Sequence, residues 1–326
     1  MEKFKSYITE EKDEPYRFVV IYNDPEQVGD DSKEETVPMA NKMLAFGKKL
    51  GLQGYKSEID KLYFNGDFIG NAEDKEFKID KNTVIFNRSR SNDRASWTGL
   101  IYHLEHSDAL VINTMDVHNI CADKFRTFTK LQGIVQQPKV QIINHVDHIE
   151  DAFKRLKTSY PVVLKTMLGT GGVGVLKIEN ESQLLSSVQI IQKLGPERGM
   201  IIQEFIPLEY DIRVIMLAGK IHGAMKRPTA EGDFRSNIHQ GSKPEKIELT
   251  QREIEVCNKV INVIDADWAG IDLIPAKDRE KQDPYMLEVN SQPGHVGYDS
   301  IGQGSVLEDV LKTYMNRDNW GLDKSI

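Results

Sequence analysis

Cysteine is almost missing from this chain: Cys121 and Cys257 are the only two, far apart and in no paired motif. That excludes a cysteine-rich zinc site and fits a reducing cytosol. Long apolar runs are missing as well. No stretch approaches membrane-spanning length, and the charged start MEKFKSYITEEKDEPYR lacks the apolar core of a signal peptide. The expectation is a cytoplasmic protein with no membrane partner. Positive charge is not in surplus. Lys and Arg number 42 against 50 Asp and Glu, a net charge of −8, which argues against wholesale binding of nucleic acid while leaving room for a local basic pocket. Internal repeats, low-complexity tracts, a Walker A loop and a GxSxG elbow are all absent. His103 with His106, and His145 with His148, have helical spacing but no accompanying ligand set, so they read as surface or loop residues.

What is present is ordinary globular material, 39% hydrophobic and 28% charged, over a length that suits two or three domains. The first fifteen residues read as a loose tail. Short buried strands at 18–22, 83–88 and 109–114 alternate with helices near 37–50 and 95–106, which suggests a mostly parallel sheet. KLYFNGDFIG (61–70) reads as a hairpin turning at Asn65-Gly66. This first α/β domain is expected to span 1–115. A second unit, 116–205, opens with a helix carrying Lys124 and Phe125. Strand KVQII, a helix capped by Asp147, strand PVVLK, a glycine-rich loop, strand VLKI, a helix near 181–194 and strand MIIQEF follow. The remainder, 206–326, has paired strands at 211–217 and 220–227 joined at Gly219. Helix 251–264 has Thr250 and Glu253 at capping-box spacing, a second strand pair follows it, and a last helix lies near 305–316.

That second strand pair, within WAGIDLIPAKDREKQDPYMLEVNSQPG, is the most informative stretch. Side chains alternate along a strand, so Glu288 and Asn290 share a face, and Asp272 interrupts the apolar strand before them. Carboxylates inside apolar strands are costly unless a partner offsets their desolvation. Two carboxylates with an amide oxygen form a hard, all-oxygen set suited to Mg²⁺ that also holds phosphates. A hairpin with a wet outer face is the plain alternative. The loop Gly169-Thr170-Gly171-Gly172-Val173-Gly174 matches GxGxxG, but β-forming VLKIENES follows it instead of a helix. It therefore reads as a β-turn-β flap whose backbone N–H groups can approach phosphates. Lys165 precedes the flap and can neutralise phosphate charge, or can simply snorkel. Lys124 alone could be a solvated helix-start lysine. Asp211 and Arg213 share a strand face, with Arg227 on the facing strand and Arg235 in the loop beyond. Converging there, the arginines would stabilise a transferring phosphoryl group. Scattered surface arginines are the other reading.

In combination, LKTMLGTGGVGV, IIQEFI, DIR, EGDFRSN, GIDL and LEVN occur in an order that resembles the ATP-grasp superfamily, and within it the RimK-type glutamate ligases, over about 83–316. Residues 1–80 match less clearly. The resemblance implies an α/β ATP-grasp fold, with the N-terminal parallel domain followed by two α+β subdomains that clasp ATP. It implies an ATP-dependent carboxylate–amine ligase working through an acyl phosphate, with an amino-acid donor and a peptide, protein or small carboxylate as acceptor. Carried over, Lys124, Lys165 and the flap glycines Gly169, Gly171, Gly172 and Gly174 contact phosphates. Glu204 and Phe205 present backbone to adenine, and Asp211 sits near the ribose. Arg235, Ser236 and Asn237 form a nucleotide-contacting turn. Asp272, Glu288 and Asn290 hold two Mg²⁺ or Mn²⁺ ions, while Arg227, Arg213 and Arg235 stabilise the transferring group. The chain departs from the pattern in a short connector, IPLEY, which lets Glu209 share the ribose role, and in NSQPG where NASPG is more usual. Two other readings stay open. One is a phosphotransferase using Arg88, Arg90 and Arg94 for an anionic acceptor, although these can equally bind a substrate carboxylate. The other is a non-catalytic nucleotide-binding module. Relatives often form dimers or tetramers, and the sequence leaves the oligomeric state open.

Overall fold

The computed structural model describes residues 17–23, 36–64, 68–72, 75–91, 93–107, 109–167, 174–194, 199–229, 234, 243–302 and 304–316. Strand β1 (Arg17–Tyr22) is buried from Phe18 onward. A run apolar on both faces needs cover on both, which is the condition of a central parallel strand. β2 (Gln53–Glu58), β6 (Thr83–Asn87) and β7 (Leu110–Ile112) complete the parallel order β2-β1-β6-β7. Phe18, Val20, Val84 and Phe86 face helix α1 (Thr36–Lys49), whereas Val19, Ile21 and Ile85 face α2 (Ala95–Glu105). β3 (Leu62–Phe64), β4 (Phe68–Ala72) and β5 (Lys75–Ile79) form a separate antiparallel sheet. The expected hairpin is its first pair, with Asn65 and Gly66 outside the described residues. β2 and β5 carry too many polar residues to read as strands, and β2 is tolerated because it lies at a sheet edge.

Two helices, α3 (Met115–Ala122) and α4 (Lys124–Leu131), stand where one was expected. Asp123 divides them because its carboxylate accepts the N–H groups of Phe125 and Arg126 and so caps α4. The central sheet then follows, with β8 (Val140–Ile143), α5 (Ile149–Leu156), β9 (Val162–Thr166), β10 (Val175–Ile178), α6 (Glu181–Leu194) and β11 (Met200–Glu204). Its order is β10-β9-β11-β8, antiparallel throughout. The expected Asp147 cap does not form. Residues 146–148 make a short 3₁₀ turn, and α5 begins at Ile149 without a side-chain cap.

The last sheet contains β12 (Tyr210–Leu217), β13 (Lys220–Pro228), β14 (Glu245–Lys246), β15 (Trp268–Ile274) and β16 (Tyr285–Asn290), in the order β14-β13-β12-β15-β16. Helix α7 (Gln251–Ile264) has the expected reciprocal Thr250–Glu253 capping box. Its Val256, Cys257, Val260 and Ile261 pack on Ile212, Val214, Ile271 and Val289 of the sheet. With those residues committed to α7, the strand alternation sends Asp211, Arg213, Asp272, Glu288 and Asn290 to the opposite face. Among the described residues no helix is long and apolar enough to cross a membrane.

Both an apolar core and a buried hydrogen-bonding side chain join the N-terminal sheet to this last unit. The short helices α8 (Val296–Ser300) and α9 (Val306–Tyr314) bring Tyr298, Val310 and Tyr314 into one core with Phe86, Ile112 and Trp268. Asn113, buried just beyond β7, donates through Nδ2 to the carbonyls of Trp268 (2.7 Å) and Ser291 (2.8 Å). Its Oδ1 accepts from the N–H groups of Asp267 (2.6 Å) and Trp268 (3.0 Å). One side chain therefore ties the start of β15 to the end of β16. Asn113→Ala would leave those backbone groups bare and is expected to cost on the order of 3 kcal/mol, read as a lower urea midpoint.

Candidate active site

The polar face of the last sheet is organised by register. Asp211 lies opposite Arg227 on β13, while Arg213 lies opposite Asp272 on β15, which in turn lies opposite Glu288 on β16. Asn290 pairs with Gly270. The charged groups meet as a closed cluster. Arg227 donates to both oxygens of Asp211, Nε to Oδ1 at 2.7 Å and Nη2 to Oδ2 at 2.5 Å. Arg213 does the same to Asp272, at 2.7 Å for each bond. Arg227 Nη2 also lies 2.8 Å from Asp272 Oδ2, so Asp272 bridges the two arginines. Gly270 makes room for this, since the Arg213 side chain passes 3.6 Å from where a Cβ would stand and Pro293 Cβ would be 3.1 Å away.

Burial sets the stakes. Asp211, Arg227 and Asp272 are all nearly inaccessible, and a buried ion is tolerated only when paired and hydrogen-bonded. Burial alone would raise the pKa of Asp272, but Arg213 and Arg227 outweigh it and hold the carboxyl well below its usual range. Burial would likewise lower that of Arg227, but Asp272 and then Asp211 hold it above its ordinary value.

Glu288 faces the central unit. A narrow cleft of about 20 Å³ between α4 and β16 is lined by Lys124, Lys165, Gln203 and Glu288, with Phe128 and Met286 on its apolar side. Burial pulls the Lys165 ammonium down to about 8, with Glu288 opposing the shift and Lys124 reinforcing it. Lys124, Lys165, Arg213 and Arg227 thus converge with Asp211, Asp272 and Glu288, four cations against three carboxylates. That surplus suits a polyphosphate accompanied by a divalent ion. A larger hollow of about 380 Å³ shares Phe128 and Val140 with the cleft, but none of the predicted site residues lines it.

The other expected residues are placed as follows. β9 and β10 pair antiparallel through Lys165 and Val175, the strand pairing expected on either side of the flap, and a strand stands where a dinucleotide-binding loop would lead into a helix. Gly174 has φ +75°, and a Cβ there would stand 2.4 Å from Thr166 Oγ1, so glycine is needed where the flap re-enters β10. Gly169, Gly171, Gly172, Arg235, Ser236 and Asn237 lie outside the described residues. The Glu204 N–H is taken by the Lys139 carbonyl at 2.9 Å. Phe205 lies under Lys177 Nζ, 4.9 Å from the ring centre. Asp211 is not at an open surface. A ribose contact from it requires the Arg227 pair to break, whereas Glu209 is exposed.

Sequence reading missed Asn113 and the partners of Gln292 in holding this site in place, and it gave Arg88 another role, as a candidate for binding an anionic acceptor or a substrate carboxylate. Gln292, in the unusual NSQPG run, donates to the carbonyls of Asn87 (3.2 Å) and Ser89 (2.8 Å). Arg88 Nη2 answers by donating to the carbonyls of Gln292 and Pro293, each at 3.2 Å, and its guanidinium lies 4.8 Å from the Trp268 ring centre. Arg88 thus locks the loop after β16 to the end of β6. Arg94 instead stacks on Trp97 of α2, 4.2 Å from the ring centre, and Arg90 takes part through its backbone N–H, which donates to Asn23 Oδ1. The substitution of Gln for Ser in NSQPG was the one signal that pointed to this junction.

A model of the RimK-like ATP-grasp domain matches residues 121–305, more than half of the chain. The chain belongs to the RimK-like ATP-grasp family. The matched span opens at Cys121 on α3 and contains the whole of the ion cluster and cleft described above. A probable alpha-L-glutamate ligase of Coxiella burnetii is 31% identical over 223 residues, 66% of this chain and 71% of that protein. A protein of the same name from Marinomonas sp. strain MWYL1 is 33% identical over 177 residues, 54% of this chain but only 56% of its own length. In fold, the D-alanine–D-alanine ligase of Bacillus anthracis in complex with ATP aligns with a TM-score of 0.67 at 19% identity, covering 93% of this chain and 98% of that one. The α/β ATP-grasp architecture expected from the sequence is therefore present.

The buried ion pairs differ from those on the surface. Asp211→Asn leaves Arg227 half-paired in a buried setting and is expected to cost about 3 kcal/mol. Glu150→Gln, which removes an exposed pair with Lys154, is expected to leave the urea midpoint unchanged.

Proposed function

We propose that this chain is an ATP-dependent carboxylate–amine ligase that adds an amino acid, glutamate first among candidates, to the terminal carboxylate of a peptide or protein. The observation that carries this reading is the placement of Asp272 opposite Glu288, with Asn290 two pairs on, beside a cleft that Glu288 lines together with Lys124 and Lys165. The donor set fits a phosphate-bound divalent ion. Among the described residues no three His, Cys, Asp or Glu side chains gather into a metal site of their own. Two carboxylates and an amide make an incomplete shell, which phosphate oxygens and water would complete, as Mg²⁺ and Mn²⁺ prefer. When bound, such an ion supplies charge neutralisation for the phosphoryl group in flight.

The chain's own groups then divide the work. Lys124 and Lys165 hold the phosphates. Arg213 and Arg227, already converged on Asp272, are positioned to trade that carboxylate for phosphate oxygens, and Arg235 is assigned with them as an oxyanion stabiliser. An acceptor carboxylate oxygen attacks the γ-phosphorus, and ADP leaves. The amine nitrogen of the donor attacks the acyl carbon, phosphate leaves, and the nitrogen loses a proton. The curated relatives named as glutamate ligases support glutamate as donor.

Incubation with ATP, Mg²⁺, glutamate and a panel of peptides should release ADP and add one or more residue masses. Hydroxylamine in place of the amine should yield a hydroxamate, which a phosphotransferase would not produce. Glu288→Gln is expected to lower ADP release about 100-fold or more with an unchanged unfolding midpoint. Near-normal turnover by that variant would sink the metal assignment.

Lys165 adds a pH dependence. In the free enzyme its ammonium loses its proton near 8, and phosphate binding favours the charged form. Nucleotide affinity should therefore hold below that pH and fall as pH rises through it. Calorimetric titration with ADP should show this slope in the wild type and lose it in Lys165→Met.

A further inference from the structure

His118 sits on α3 at 4% exposure, buried and outside every role assigned above. Its Nδ1 lies 2.9 Å from the hydroxyl of Ser291, the residue that directly follows Asn290. The thiol of Cys121, three residues further along the same helix, also lies beside Ser291. The Ser291 carbonyl in turn accepts from Asn113. Ser291 is thus gripped at its side chain and its main chain by residues that come from outside its own sheet. The amide oxygen of Asn290 is oriented by the same turn, since it accepts the Gln292 N–H at 2.9 Å.

The second ring nitrogen of His118, Nε2, has no hydrogen-bond partner among the described residues. Burying an imidazole with one nitrogen bare costs stability, and an apolar residue would fill the space without that cost. Burial, reinforced by the nearby Arg88 charge, pulls the ring down to about 3, so it is neutral and keeps one donor and one acceptor nitrogen. Its other nitrogen is spent on Ser291 alone.

We propose that His118 is a positioning residue: through Ser291 it sets the backbone at the end of β16 and with it the metal-facing amide of Asn290. Partners behind a metal ligand commonly change affinity tenfold to a hundredfold when removed. The inference rests on the reading of Asn290 as a metal ligand, so the test must separate the two.

Mn²⁺ binding by the full chain, followed by electron paramagnetic resonance with a non-hydrolysable ATP analogue present, is the direct readout. Asn290→Ala tests the ligand assignment: wild-type Mn²⁺ affinity there would overturn that reading. With Asn290→Ala defective, His118→Leu and Ser291→Ala should each weaken Mn²⁺ by about tenfold, and the double variant should be no worse than either single. His118→Asn, whose amide reaches the Nδ1 position, should restore binding, while His118→Gln, which reaches only the Nε2 position, should not. Wild-type affinity in Ser291→Ala, rescue by Gln instead of Asn, or additive losses in the double variant would overturn the proposal. Should His118→Leu fail to fold, Ser291→Ala and the Asn–Gln comparison decide the matter alone. In turnover, the loss should appear in kcat and in the Mn²⁺ requirement, with the KM for the amino acid unchanged.

Discussion

The bridge from Arg213 and Arg227 to Asp272 is the interaction on which the rest of this molecule is arranged. A carboxylate in the middle of a β-sheet cannot stay ionised out of water unless cations meet it with good geometry. Two guanidiniums do so here, one of them shared with Asp211. The demand fixes much around it. Gly270 must leave room for the Arg213 side chain. Helix α7 must cover the other face, so that the charges point one way. Glu288, directly across from Asp272, is left outside the cluster and turned toward the lysines of the central unit.

The same arrangement explains how a site can be stable yet ready for a polyanion. The arginines are not idle surface cations waiting for phosphate. They are preorganised by carboxylates of their own, and an arriving phosphate would compete for donors already aimed at the right place. On the proposed reading one geometry stabilises the fold before binding and serves chemistry afterwards, which makes Asp272 a poor position at which to separate the two roles. Glu288, free of the cluster, separates them.

A second constraint comes from the N-terminal sheet. The ends of β1, β6 and β7 supply Asn23, Arg88 and Asn113, and open parallel sheets place their working residues at the carboxyl ends of strands. Here Asn113 clasps β15 to the end of β16, and Gln292 and Arg88 interlock. The N-terminal unit therefore does more than pack beside the ATP-grasp subdomains, because its polar residues set the shape of the turn that follows Asn290.

Much of this was legible in the chain. The strands near 18–22, 83–88, 211–217 and 220–227, the strand pair within 268–290, the Thr250 capping box and the strand pairing on either side of the glycine-rich loop all follow from local pattern. So does the sharing of one face by Glu288 and Asn290. Such features depend on the period of a strand or on residues three or four apart, which any sequence displays. The polar strand β2, the break at Asp123 and the missing Asp147 cap were not legible, since sheet edges and competing local hydrogen bonds decided them. Nor were the partners of the charges. The sequence by itself determined that Asp211, Arg213, Asp272, Glu288 and Asn290 interrupt apolar strands, and that burying them would need compensation. Only the tertiary structure decided who compensates whom. Asp272 meets an arginine 59 residues away, and Asn113 meets Ser291 across 178. Register and domain docking set those distances, and no local pattern encodes them.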